Sequence, residues 1–146
     1  MRREPTMDAY ESARAALLAC SSFEHGIGAT LHQLDEAQRE LGVFPEDYLQ
    51  FVREFGYASF KSYEVWGVST NTPRGFDLVA MNRTEHEEFG LPNELIAFHN
   101  NGGGDLAGFK RDRPSSLELW TYWHEDQASA TDGLSFGGFL LDRVKE

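Results

Sequence analysis

The run Asn100, Asn101, Gly102, Gly103, Gly104, Asp105 lies between an apolar segment, Leu95 to Phe98, and a second strand-like one, Leu106 to Lys110. Three adjacent glycines weaken the interior of any helix or strand, because each loses the most backbone freedom on ordering. The run therefore reads as a turn between two strands, where the backbone needs positive φ or where another group comes close. Asp105 at its exit disfavours an anionic visitor, so phosphate binding is not expected there.

Helical patterns precede this turn. Asp8 to about Ser22 is amphipathic and rich in Ala and Leu. Thr30 is placed to cap a helix whose apolar positions Leu31, Leu34, Ala37 and Leu41 recur at three- and four-residue intervals, and Gly42 ends it. Pro45 suits the first turn of the next helix, where Glu46 and Asp47 complement the positive end of the dipole. Tyr48, Leu49, Val52 and Phe55 form its apolar stripe, and Gly56 stops it. The period then shortens: Tyr63 to Val68 alternates as a strand, and Ser69 to Gly75 is turn-prone. Asp77 to Phe89 allows a helix, with Leu78, Val79, Met81, His86 and Phe89 on its dry side and Glu85, Glu87 and Glu88 on its wet side. Leu117 to His124 is an aromatic strand, Asp126 to Gly133 reads as loop, and Ser135 is placed to cap a last helix carrying Phe136, Phe139, Leu140 and Val144. Gly137 and Gly138 each cost about 1 kcal/mol relative to Ala in a helix, so their presence calls for a packing or partner reason. Helices first, strands in the middle and a closing helix predict an α+β fold: an antiparallel sheet of about four to six strands, packed by N-terminal helices and a C-terminal helix.

At 146 residues, with 40% hydrophobic and 13% aromatic side chains, the chain fits one domain with a real core. Asp and Glu outnumber Lys and Arg by 24 to 13, a net charge of -11. Such a surface repels nucleic acid and anionic membranes and attracts a basic protein partner. Cys20 is the single cysteine and can make no internal disulfide, which fits a reducing, cytoplasmic setting. Leu17 to Ser21 imitates a lipoprotein cleavage site, but Glu4, Asp8, Glu11 and Arg14 interrupt the apolar region such a signal needs. No stretch approaches the roughly 18 consecutive apolar residues of a membrane span, so a soluble protein is expected.

Catalytic patterns fail on context. Gly133 to Gly137 matches the nucleophile-elbow pattern around Ser135, yet Asp142 and no histidine follows, and no parallel sheet precedes it. Gly102 to Ala107 fits a relaxed dinucleotide fingerprint, but Leu106 to Lys110 reads as strand where that motif opens a helix. The five histidines are scattered without metal-ligand spacing. Convergence of His99, Asp105, His124 and Glu125 on a divalent ion is the one arrangement that would support a metal-dependent hydrolase, and solvated strand ends outweigh it. No cofactor and no metal are therefore expected, and no enzyme. Basic residues interleaved with aromatics occur only around Lys110, Arg111 and Arg113, too few against the acidic total for a nucleic-acid footprint.

A docking surface remains. Alternation along Leu117 to His124 puts Leu119, Thr121 and Trp123 on one face and Trp120, Tyr122 and His124 on the other. If helices cover one side alone, the other presents rings rimmed by Glu118, Glu125 and Asp126, and such patches carry protein-binding energy. The contrasting reading is that both faces are covered.

Taken together, these residues resemble the SMI1/KNR4, or SUKH, superfamily. The likeness is carried by Leu41, Gly42, Pro45, Asp47 and Tyr48 with the helix they open, and by Trp66 and Gly67 in an early strand. The Gly102 to Asp105 turn, the strand end Trp123, His124, Glu125, and the closing helix with Ser135, Phe136, Phe139 and Leu140 complete it, from about Leu31 to Val144. Phe55 and Gly56 stand where the family usually has Asn-Gly, and the N-terminal stretch has no counterpart. The resemblance implies one SUKH-like domain over 1–146, with 1–29 an extension holding a helix. For bacterial members it implies an immunity protein that neutralises a cognate toxin, commonly a nuclease. Eukaryotic members act as regulatory scaffolds. An acidic protein suits the first role, because nucleases need positive surface to hold phosphates. Contact with the toxin is then expected through Asp105, Glu118, Trp120, Tyr122, Glu125 and Asp126.

Overall fold

The computed structural model describes residues 5–111, 119–131 and 133–146. α1 (Pro5–Leu18) is followed by the two-residue strand β1 (Glu24–His25). α2 (Leu31–Leu41) opens on a capping box: Gln33 N donates to Thr30 Oγ1 at 3.1 Å, and Thr30 N donates to Gln33 Oε1 at 2.9 Å. Two orphan donors of the first turn are thereby satisfied. Gly42, at φ 100°, releases the chain toward Pro45 and α3 (Glu46–Phe55). Tyr48, Phe51, Val52 and Phe55 are buried along α3; Leu49, expected in that stripe, is only half-buried, and Phe51 takes its place.

The strands form two antiparallel sheets instead of one. β2 (Ala58–Phe60) and β3 (Tyr63–Val65) make a hairpin whose turn residues, Lys61 and Ser62, hold positive φ, and with β1 they form a three-stranded sheet. The expected strand over Tyr63 to Val68 is thus shorter and has an upstream partner. After a 3-10 turn at Arg74–Phe76 comes α4 (Leu78–Glu88), capped by Asp77 Oδ1 accepting from Ala80 N at 3.0 Å. β4 (Leu95–Asn100), β5 (Leu106–Lys110), β6 (Trp120–Trp123) and β7 (Ala128–Thr131) pair in sequence order as a four-stranded sheet. β7 lies in the segment read as loop: Ala128 to Thr131 alternates only small side chains, with no large apolar residue to signal a strand, and its turn is closed by Gln127 at φ 50° instead of a glycine. α5 (Phe136–Lys145) starts at Ser135, whose Oγ accepts from Gly138 N at 3.0 Å.

The two sheets meet at a seam. Trp66 N donates to the Phe98 carbonyl at 2.8 Å, and His99 Nδ1 lies 2.8 Å from the Glu64 carbonyl. Phe98 sits at the register shift between Ala97 and His99, which aims its ring at α5, 5.0 Å from Phe136 and 5.2 Å from Phe139. Asn82 of α4, fully buried, clips the same strand: its Nδ2 donates to the Ala97 carbonyl at 2.7 Å and its Oδ1 accepts from Ala97 N at 2.8 Å. At the centre, Tyr48 packs against Phe44, Phe51, Phe98, Phe109 and Phe136, and its hydroxyl donates to the Trp66 carbonyl at 2.7 Å.

One of the two glycines at the start of α5 finds its reason in packing. A Cβ on Gly137 would stand 2.5 Å from Tyr10 N and 2.6 Å from Tyr10 Cα, so α1 crosses α5 where only glycine admits its backbone. Gly137→Val is expected to cost about 2–3 kcal/mol through overpacking. Urea unfolding with limited proteolysis checks it: α1 should be cleaved first, and an intact α1 at unchanged stability would contradict the packing.

Asp47 does more than complement a helix dipole. Buried, it accepts from Tyr48 N at 2.9 Å and from Gly137 N at 3.0 Å, so one carboxylate serves the N-termini of α3 and α5. Burial raises its pKa above the ordinary carboxyl value, against the pull of those amides. Because the folded state holds the proton more tightly than the unfolded chain, the contribution is full below about 3.8 and fades as pH rises through the raised value. The stability advantage of the wild type over Asp47→Asn is therefore expected to shrink from pH 4 to 7 in urea titrations, by an amount set by that shift. A constant or growing advantage would contradict this.

Candidate partner-binding site

The triple glycine builds a rigid tip. Asn100 Oδ1 accepts from Gly102 N at 2.8 Å and Gly104 N at 3.3 Å, and Asn101 Oδ1 accepts from Gly103 N at 2.8 Å and Asp105 N at 3.2 Å. Gly102 and Gly104, at φ 94° and 98°, occupy the left-handed region that side chains resist. Gly104 has a second reason: a Cβ there would lie 2.7 Å from His124 Nδ1. His124 thus rests on the tip, and Asp105 Oδ1 accepts from its amide at 3.2 Å and meets its Nδ1 at 3.3 Å.

Around this pair the chain gathers acid. Glu125 and Asp126 are exposed in the β6–β7 turn. Glu85 approaches from α4: burial raises its pKa, and His124 is near enough to oppose the shift. Two rings stand exposed on neighbouring elements, Phe89 at 62% and Trp123 at 38%. Phe89 was expected on the dry side of α4; Gly90 and Leu91 turn the chain there, and Leu91 is buried in its stead.

Of the side chains expected at the site, Asp105, Glu125 and Asp126 come together. Trp120 lies toward the opposite end of β6, half-buried beside Lys110, whose Nζ is 4.5 Å from the ring centroid. Tyr122 is a correction: it is 4% exposed, packed in register with Leu106, with its hydroxyl 3.4 Å from the Gly90 carbonyl, so it belongs to the core. Glu118 lies outside the described residues. The faces of β6 alternate as expected, but the Gly90 turn covers the Tyr122 side. Phe89 went unrecognised because the periodicity of α4 continues past its real end, and Glu85 because its place beside His124 depends on how α4 packs against the sheet.

His99 does not join the tip, because its Nδ1 turns to the Glu64 carbonyl. Among the described residues no group of three or more His, Cys, Asp or Glu is arranged to hold a metal ion. Arg111, one of the three residues of the small basic cluster, is engaged with the Asn93 carbonyl at 3.1 Å and the Glu40 carbonyl at 3.3 Å. No helix among the described residues is long and apolar enough to cross a membrane.

Comparison with known families decides the affiliation. The model of the SMI1 / KNR4 family (SUKH-1) matches residues 28–142. The chain belongs to the SMI1/KNR4 family. Among curated proteins there is no match. The residues that carried the SUKH resemblance divide sharply in the structure. Tyr48, Trp66, Phe136, Phe139 and Leu140 are core, and Gly67 lies so close to Gly56 that a Cβ would overlap its carbonyl oxygen. Asp105, Trp123, His124 and Glu125 instead end at the acidic tip. The matched span begins after α1 and β1, so the helix locked against Gly137 lies outside the part that defines SUKH-1.

Proposed function

We propose that this SUKH protein is a cytoplasmic, non-enzymatic immunity protein that binds and neutralises a cognate toxin of a bacterial polymorphic or contact-dependent system. Family membership over residues 28–142 is the observation that carries the reading. Charge supports it: a net -11, with Asp105, Glu125 and Asp126 gathered at a rigid tip, complements the positive surface a nuclease presents to phosphates. The tip is well built for recognition, since its loop is fixed by side-chain hydrogen bonds and needs little ordering on contact. The partner is accordingly a basic protein of the nuclease class, docking on Asp105, Glu125, Asp126 and the neighbouring rings.

Co-expression tests the reading. The gene beside this one is induced alone and together with this chain, and growth is followed. Toxicity alone with rescue by the chain supports immunity. A neighbour that kills equally in both settings, or harms in neither, contradicts it.

A further inference from the structure

The acidic tip continues inward as a cleft of about 490 Å³ between the sheet and the C-terminal half of α5, lined by His99, Asp105, Ala107, Thr121, Phe139 and Arg143 among others. Its most telling wall is a histidine used on one side only. His99 is 5% exposed, with the Tyr63 and Phe139 rings 5.8 and 5.3 Å away. Its Nδ1 faces a carbonyl, which can only accept, so Nδ1 carries the proton and Nε2 keeps a lone pair. Nε2 has no hydrogen-bond partner among the described residues. Burial, reinforced by Arg143, pushes the imidazole below its ordinary pKa, so Nε2 stays an acceptor at neutral pH.

Asp105 offers a second acceptor. Its Oδ1 is engaged by His124, whereas Oδ2 meets only Asn101 Nδ2, at 3.5 Å, among the described residues. Two of the cleft's donor side chains have partners on its rim. Tyr63 OH donates to Glu146 Oε2 at 2.9 Å, and the Arg143 guanidinium stacks 4.5 Å from the Phe139 centroid with its Nε 3.9 Å from Glu146. An anion entering here would face Asp105 and Glu146, two carboxylates against the single Arg143 guanidinium, and an apolar group would strand Nε2 and a carboxylate oxygen away from water. A cationic head group that only donates satisfies both. Guanidinium suits two separated acceptors better than ammonium, because its donors are spread over a rigid plane.

We propose that this cleft receives an arginine side chain of the partner protein, its guanidinium donating to His99 Nε2 and to Asp105. The proposal rests on the reading that the chain binds a basic protein, and it names the anchor. Direct contact makes His99 and Asp105 its ligands.

The test uses the full chain, labelled with ¹⁵N, and Nα-acetyl-arginine methylamide as probe. The citrulline analogue, equal in shape but uncharged, serves as control. The expected result is a saturable shift of the His99 Nε2 resonance, with the arginine probe binding about tenfold tighter than the citrulline one. Asp105→Asn, which keeps an acceptor oxygen for His124 and so preserves the tip, should weaken the arginine probe about tenfold without disturbing the rest of the spectrum. No saturable shift at His99, equal binding of both probes, or undiminished binding by Asp105→Asn would each overturn the cleft. If the chain protects cells but His99 does not respond, the anchor fails and the immunity reading stands. If His99 responds as expected but the chain gives no protection, the reverse holds.

Discussion

Replacing Tyr48 with alanine is expected to cost about 4 kcal/mol of folding stability, the scale of removing a buried aromatic ring. Tyr48 has no exposed surface, and five phenylalanine rings lie within 6.1 Å of its centroid, so little can collapse into the void. Its loss also strands the Trp66 carbonyl, which accepts its hydroxyl at 2.7 Å. Because a domain of this size is stable by only about 5–15 kcal/mol, the variant should melt about 10 °C lower. Tyr48→Phe separates the two effects: it keeps the ring, loses the hydrogen bond and should cost about 1–2 kcal/mol. Thermal and urea unfolding of both variants measures this. Equal losses would mean that the hydroxyl, and not the ring packing, holds α3 to the seam.

Reversing charge at the tip is expected to change association while sparing the fold. Glu125→Lys with Asp126→Lys moves two charges at each of two positions, taking the net from -11 to -7. Both side chains are exposed in the β6–β7 turn, so the melting temperature should move by less than about 2 °C. Steering by opposite charge speeds encounter by roughly tenfold to a thousandfold, and the on-rate for the basic partner should fall by at least about tenfold at low salt. The difference should shrink as salt is raised, because exposed charges are screened beyond about 10 Å at 0.1 M. Stopped-flow association at two ionic strengths measures it; an unchanged on-rate would place the interface elsewhere.

The sequence was most legible where one residue makes a local hydrogen bond. Thr30 and Ser135 each cap the helix they were read to open, because a cap is a contact over three residues and leaves its mark in that span. The glycine turn between β4 and β5 was legible for the same reason. What escaped reading depends on distant partners. β1 and β2 are two and three residues long, too short for a period, and exist because β3 pairs with β2 and β2 with β1. β7 is Ala and Ser with Thr, and becomes a strand only by pairing with β6. Asn82 drew no reading and Asp47 was read only as a complement to the helix dipole and part of the family likeness, yet each is buried because a remote backbone supplies its partner: Ala97 for one, Gly137 for the other. Tyr122 shows the same limit at the site. Alternation assigns it a face, but only the turn at Gly90 decides that the face is covered.

The fold leaves the acids Asp105, Glu125 and Asp126 at one end of the four-stranded sheet, on a loop held by Asn100 and Asn101. α1 lies against α5, which keeps the N-terminal segment on the body of the protein.

The most direct measurement is an inhibition titration. The purified product of the neighbouring gene, the toxin of the proposed pair, is held at fixed concentration, its activity is followed, and this chain is added in increasing amounts. The account predicts that activity falls linearly to zero at an equimolar ratio and that the break point blurs as salt is raised. Full toxin activity in the presence of a large excess of folded chain would contradict it.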